Sequence, residues 1–274
     1  MQISPATALC GILLHPAVHT RSPAMHNAAY AALGLDAVFV AFDVPPPRLA
    51  EAVAGARALG LRQLAVSIPH KEAVLAHLDA VDETARRIGA VNTLTLHDGR
   101  WLGSNTDWIG LARALERETG LAGRRAVVLG AGGTARAAVF ALRERGAHVS
   151  VLNRSVARAE ALARELGADA AGPLEELGRL DYDVLVHTTS VGLSSDESPV
   201  PATALRRGAV VLDTVYAPPE TRLLRDARAR GARCIGKKWM LVEQAVEQIR
   251  LWSGKTPPAE VLARAFEDAG RSPT

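Results

Sequence analysis

The feature of this 274-residue sequence that most restricts its fold is a glycine-rich turn, Gly130-Ala131-Gly132-Gly133-Thr134-Ala135. It follows the apolar run Ala126–Leu129 and opens a helical stretch that reaches Arg145. In that setting the pattern G-x-G-x-x-G/A implies a βαβ unit of a dinucleotide-binding fold. Gly130 permits the tight turn, Gly132 lets the backbone approach a pyrophosphate, and small Ala135 lets helix and strand pack closely. The helix N-terminus offers free N–H groups and positive potential to phosphates. A glycine-rich turn without a ligand is the alternative. The strand predicted over His148–Leu152 selects the dinucleotide. An NAD site places Asp or Glu there to hold the ribose 2′-hydroxyl. This chain has Asn153-Arg154-Ser155, which can pair with or donate to a 2′-phosphate, so NADP is the expected cofactor. Arg158, one turn on, either adds charge or is solvated. Ser155 also reads as the N-cap of a helix ending at Gly167.

Strand and helix signals alternate almost throughout, which argues an α/β architecture. Strands are expected at Leu9–Leu14, Val38–Asp43, Gln63–Ile68, Asp183–His187, Ala209–Asp213 and near Cys234. Helices are expected from Ser22, with Ser22 as N-cap, to Gly34, and over Pro47–Leu59, Trp108–Glu118, Thr221–Arg230, Met240–Trp252 and Ala259–Ala269. Asp98-Gly99 predicts a hairpin turn. The expected division is a first domain of residues 1–106 plus 240–274, with the helical tail returning to it, and a nucleotide-binding domain of residues 107–239.

Several function classes are excluded on composition. Net charge is +3, but acids lie beside the bases, as in Arg113, Glu116, Arg117 and Glu118, so a small anion fits better than a nucleic acid. No apolar run reaches the roughly 20 residues of a membrane helix, and the N-terminus lacks a secretion signal, so a cytoplasmic protein is expected. Cys10 and Cys234 fit no zinc spacing and read as free thiols. His15, His19 and His26 cluster without ligand spacing, so no metal is expected. No G-x-S-x-G elbow is present. Nothing is diagnostic of oligomeric state, which leaves a monomer or a homodimer.

Of 32 basic residues only four are lysine: Lys71, Lys237, Lys238 and Lys255. Lysine can give up a proton near neutral pH and arginine cannot. Lys71, in Ser67-Ile68-Pro69-His70-Lys71-Glu72, is expected in the first turn of a helix, where the dipole pushes it toward its neutral, catalytic form. The alternative is a surface lysine paired with Glu72 or Asp79. Asp107 reads as a helix N-cap or as an acid for catalysis. Asn92, at the start of an apolar strand, must bond the backbone or a ligand. Thr20 and Ser22 place two hydroxyls before a helix.

Together these segments resemble the shikimate dehydrogenase family, over nearly the whole chain. The resemblance is carried by the segment from His15 to His26, Ser67–Glu72, Ile88-Gly89-Ala90-Val91-Asn92-Thr93, Asn105-Thr106-Asp107, the glycine-rich turn with Asn153-Arg154-Ser155, Thr189-Ser190-Val191-Gly192, Asp213-Thr214-Val215-Tyr216, and Met240-Leu241-Val242-Glu243-Gln244. It implies two α/β domains, a substrate-binding domain and a Rossmann-type NADP-binding domain, with a cleft between them. It implies the NADPH-dependent reduction of 3-dehydroshikimate to shikimate. Lys71 and Asp107 would be the catalytic pair. Thr20 and Ser22 would hold the substrate carboxylate, and Ser67, Asn92, Tyr216 and Gln244 the ring hydroxyls or carboxylate. Thr189 and Val215 would join the cofactor site. Against the family pattern, Leu14 replaces glycine, Thr20 serine, Ala65 asparagine and His187 asparagine. Lys237-Lys238-Trp239 replaces a glycine-containing run beside the nicotinamide, where a tryptophan could crowd the ring. A quinate or quinate/shikimate dehydrogenase and a non-catalytic NADP-binding regulator are the alternatives.

Overall fold

Aliphatic runs bounded by glycine, proline and polar turns become strands, and alanine-rich periodic stretches become helices. In the computed structural model, residues 3–18, 20–215, 218 and 220–270 are described. They fall into two compact units, Met1–Thr106 with Val242–Thr274, and Asp107–Leu241.

The first unit is built on strands β1 (Ala8–Leu14), β2 (Ala37–Asp43), β3 (Gln63–Val66), β4 (Ala80–Val81), β5 (Thr93–His97) and β6 (Arg100–Ser104). Their order in the sheet is β2-β1-β3-β5-β6-β4. β1 runs parallel to β2 and β3, and β5 antiparallel to β3 and β6. The β5–β6 hairpin closes on Asp98 (φ 48°) and Gly99 (φ 74°), the two left-handed positions that its turn requires. Helices α1 (Ser22–Leu33), α2 (Leu49–Ala58) and α3 (Glu83–Ile88) complete this part. Leu13, Leu64, Val66, Leu94 and Trp101 lie in its core.

The second unit opens with α4 (Asp107–Glu116), then β7 (Arg125–Leu129), α5 (Gly133–Glu144), β8 (His148–Leu152), α6 (Val156–Leu166) and β9 (Ala170–Gly172). It continues with β10 (Val184–His187), β11 (Val210–Asp213), α7 (Arg222–Ala229) and β12 (Arg233–Ile235). The strands pair in parallel in the order β12-β11-β10-β7-β8-β9. The order reverses between β7 and β10, the switch point at whose carboxyl edge such sheets bind ligands. Ala135, Ala137, Ala138 and Ala141 of α5 are wholly buried, so their small side chains bring the helix close to the sheet.

Helix α8 (Lys238–Ser253) begins in the second unit, where Met240 joins the core, and continues in the first. With α9 (Ala259–Ala269) it completes the first unit. Helix α9 packs on α1. The Gln63 side chain donates to the Gln248 carbonyl at 2.7 Å, and Gln248 donates to Thr93 Oγ1 at 3.0 Å.

Some local expectations are corrected. Arg21, not Ser22, stands at the N-cap of α1, and Ser22 is the first helical residue. The proline run before Leu49 makes Pro46–Arg48 a separate 3₁₀ turn, so α2 is shorter than Pro47–Leu59. β4 and β9 are only two and three residues long and carry no periodic signal.

Candidate active site

In the second unit the glycine-rich turn links β7 to α5 at the switch point. Gly130 has φ 119°, and a Cβ there would lie 2.5 Å from Thr188 Oγ1, so only glycine fits. Around a Cβ on Gly132 nothing lies within 4 Å, which leaves open space at the N-terminus of α5. Gly132 is also the N-cap of α5 and provides no side-chain cap. Ala135 is fully buried against the sheet. The turn is therefore shaped to let an anionic group approach the backbone N–H groups of the first helical turn. Ala131, Gly133 and Thr134 are half-buried around this space.

Asn153, Arg154 and Ser155 follow β8. The Asn153 side chain donates to the Ser155 carbonyl at 3.0 Å, fixing this turn. Ser155 stands at the N-cap of α6 as expected, but its hydroxyl makes no capping bond. Arg154 is exposed, and its guanidinium makes no ion pair among the described residues. Arg158 is not simply solvated: it donates to the Ala131 carbonyl at 3.2 Å and ties this cationic turn to the glycine-rich one. A cavity of about 720 Å³ is lined by Asn153, Arg154, Thr189, Ser190 and Val191, and also by Asp196 and Glu197. That volume lies within the range of cofactor-sized clefts. Val215 is buried, and its N–H donates to Asp213 at 2.9 Å. Tyr216 lies outside the described residues.

In the first unit a polar cluster sits where β1 and β3 end and β5 begins. Asn92 is 1% exposed. Its amide nitrogen donates to Gln244 Oε1 at 2.9 Å and to Thr106 Oγ1 at 3.1 Å. Its oxygen accepts from the Thr106 N–H at 2.7 Å and the Thr93 hydroxyl at 2.8 Å. Asn92 thus bonds backbone and side chains of the protein, and it turns the Gln244 amide nitrogen away from itself. Asn92→Ala leaves the Thr106 N–H and Gln244 Oε1 without these partners. We expect a loss of about 2 kcal/mol in denaturant unfolding, and an unchanged midpoint would refute this reading.

Lys71 is placed differently from expectation. It lies in a turn spanning residues 68–72, ahead of a single 3₁₀ turn over Ala73–His77 whose N-cap is Glu72. No α-helix dipole acts on it, because a five-residue 3₁₀ turn after Pro69 replaces the helix. The segment is nonetheless fixed. Buried His70 donates from Nε2 to the Val44 carbonyl at 2.8 Å, and the Lys71 carbonyl accepts from the Val91 N–H at 2.8 Å. Asp79, the alternative partner, accepts from Arg57 at 2.6 Å and from the Trp101 N–H at 2.7 Å. Ser67 is half-buried, and its N–H donates to the Leu13 carbonyl at 2.9 Å. Thr20 Oγ1 accepts from the Ser22 N–H at 3.3 Å, which sets the two hydroxyl residues in one turn. Asp107 is 2% exposed and is the first residue of α4 rather than its N-cap.

The Val91-Asn92 dipeptide therefore fixes two backbones at once. Val91 holds Lys71, and Asn92 holds Thr106, the residue before Asp107. Sequence reading gave no role to His70 or Gln248, and to Thr106 only that of an N-cap. His70 stands beside Lys71 and Gln248 lies four residues beyond Gln244, and their bonds become readable only once strand register is known.

Trp239 does not stand free. Arg117 lies over its ring at 3.5 Å from the centroid and Lys238 at 4.9 Å, while the indole packs on the core of the second unit. His26 stacks on Phe39, and burial pushes its pKa down to about 3, so it is a neutral core residue. His15 pairs with Asp43 at 2.7 Å, and His19 lies outside the described residues. Among the described residues no group of three or more His, Cys, Asp or Glu side chains could hold a metal ion. Among them, too, no helix is long and apolar enough to cross a membrane.

Three family profiles match the chain. Residues 12–94 match the shikimate dehydrogenase substrate binding domain, residues 112–196 shikimate / quinate 5-dehydrogenase, and residues 239–265 the shikimate 5′-dehydrogenase C-terminal domain. A shikimate dehydrogenase (NADP(+)) of Thermococcus kodakarensis is 48% identical over 94% of this chain and 96% of its own length. A shikimate dehydrogenase crystallised in complex with NADP+ superposes with a TM-score of 0.92 at 38% identity, covering 99% of this chain and 98% of that one. The Thermus thermophilus shikimate 5-dehydrogenase in complex with NADP(H) and shikimate gives 0.89 at 41% identity, covering 96% and 99%.

Proposed function

Because this chain belongs to the shikimate dehydrogenase family, we propose that its two units divide the work, with Met1–Thr106 and Val242–Thr274 holding substrate and Asp107–Leu241 holding NADP. It is an NADP-dependent oxidoreductase that reduces 3-dehydroshikimate to shikimate and catalyses the reverse oxidation. The open glycine-rich turn and the carboxylate-free Asn153-Arg154-Ser155 segment fit the pyrophosphate and 2′-phosphate of that cofactor.

Bound NADPH supplies the hydride to the carbonyl carbon. Lys71 gives a proton from Nζ to the carbonyl oxygen during reduction and takes it back during oxidation. Asp107 orients the lysine. The hydroxyls of Thr20 and Ser22 hold the substrate carboxylate. Ser67, Asn92, Tyr216 and Gln244 select the ring hydroxyls, with Asn92 acting through the orientation it gives Gln244. Thr189 and Val215 border the cofactor, and Gly130–Ala135 with Arg158 receive its phosphates. The observation that carries the assignment of Lys71 and Asp107 is the Val91-Asn92 dipeptide, which fixes the Lys71 backbone and that of Thr106 together.

The protein works on a small-molecule substrate as a monomer or homodimer. A cytoplasmic location is in keeping with its two free cysteines, since Cys10 is buried with its thiol pushed up to about 11. Thr20, which adds a methyl group to the carboxylate turn, favours one second reading, turnover of quinate. Reduced-nicotinamide absorbance should be followed with shikimate and with quinate, each with NADP+ and with NAD+. Fast turnover is expected with shikimate and NADP+. Faster turnover of quinate would move the chain to the second reading, and NADP+ binding without any turnover would remove the enzymatic one.

A further inference from the structure

His187 and Asp213 are both 0% exposed and face each other in register at the carboxyl ends of β10 and β11. His187 Nδ1 lies 2.9 Å from Asp213 Oδ1, and Nε2 lies 2.6 Å from Thr189 Oγ1. Asp213 Oδ1 also accepts the Val215 N–H at 2.9 Å, and Oδ2 accepts the Thr221 hydroxyl at 2.5 Å. A buried carboxylate facing three donors is an acceptor throughout, so the imidazole donates from Nδ1. In the Nδ1–H tautomer, Nε2 accepts the Thr189 hydroxyl hydrogen. Thr189 Oγ1 in turn accepts the Val191 N–H at 3.2 Å. The chain of bonds thus runs from a buried carboxylate out to the turn that follows β10.

That turn lies directly against the phosphate-binding one. Thr188 Oγ1 donates to the Leu129 carbonyl at 2.7 Å, and a Cβ on Gly130 would lie 3.1 Å from Thr189 Cγ2. Ser190 and Val191 line the same cavity as Asn153 and Arg154. We propose that His187 is a positioning residue for cofactor binding: braced on Asp213, it holds Thr189 and the 188–192 turn in the geometry that receives NADP. The inference rests on the cofactor site of the function proposed above. A turn ordered beforehand loses less freedom when the ligand arrives, so the brace acts on affinity.

Four variants test this, two at His187, Thr189→Val and a double, each read without substrate. His187→Asn sets an amide nitrogen near the position of Nδ1, keeping the Asp213 bond but falling short of Thr189. His187→Gln can set its amide oxygen near the position of Nε2, within reach of the Thr189 hydroxyl as an acceptor. By calorimetry, His187→Asn should weaken NADP+ binding about fivefold, with His187→Gln closer to wild type. In the ligand-free protein, hydrogen exchange at the Val191 amide should quicken about tenfold in His187→Asn. In a Thr189→Val background, His187→Asn should cost no further affinity, which general loosening of the core would not reproduce. An NADP+ affinity unmoved by His187→Asn, or equal losses with and without the Thr189 hydroxyl, overturns the proposal. A protein that binds NADP+ but never oxidises shikimate overturns the substrate reading, while the affinity comparison still decides this one.

Discussion

Lys71→Ala lowers kcat for shikimate oxidation about a thousandfold, the scale of a lost general acid–base group. The KM values for shikimate and NADP+ move far less, because the interaction removed is made at the reacting oxygen. The fold should survive the change. The bond from the Val91 N–H reaches the Lys71 carbonyl, and the anchor at His70 belongs to its neighbour, so neither needs the lysine side chain. Lys71→Arg separates charge from proton transfer. Arginine keeps the positive charge but does not release its proton, so this variant should stay at least about a hundredfold below wild type. Recovery of normal turnover in Lys71→Arg would reduce the lysine to an electrostatic role. Normal turnover in a folded Lys71→Ala protein would remove it from the mechanism.

Arg154→Ala raises the KM for NADP+ about a hundredfold and hardly changes that for NAD+. Two charge-assisted hydrogen bonds to a 2′-phosphate account for a factor of this size, and NAD+ has no group there to lose. Arg158 softens the loss without replacing it, since its guanidinium is partly committed to the Ala131 carbonyl. Steady-state titrations of both cofactors against saturating shikimate would measure this. Parallel losses for NADP+ and NAD+ would mean that Arg154 shapes the turn rather than reading the phosphate.

The legible parts of this protein were those fixed by local physics. The glycine-rich turn, the Asp98-Gly99 hairpin and the strand His148–Leu152 each follow from constraints within a few residues, and each is found where the sequence puts it. Lys71 shows where that reasoning ends. Its type and neighbours were readable, but Pro69 and a one-turn 3₁₀ segment replaced the helix on which its dipole argument depended. The partners of Asn92 were unreadable for another reason. Gln244 is 152 positions away, and only the return of α8 to the first unit brings the two amides together. His187 and Asp213 are 26 positions apart and meet because parallel β10 and β11 take one register out of several that their aliphatic sequences would allow. Departures from a family pattern were visible as single residues, whereas the bonds that make sense of them were not.

The discontinuity of the first unit has a consequence for how the chain is made. Synthesis delivers the whole of Asp107–Leu241 in one stretch, so this sheet can close while translation is still under way. The other unit must wait, because Gln244 and Gln248, and the α9 surface that covers α1, emerge from the ribosome after everything else they touch. Until then α1 lacks the helix that packs on it, and Asn92 lacks its Gln244 partner. A chain cut before Val242 would thus keep the unit Asp107–Leu241 and lack the segment that completes the first, which makes that segment the checkpoint of its assembly.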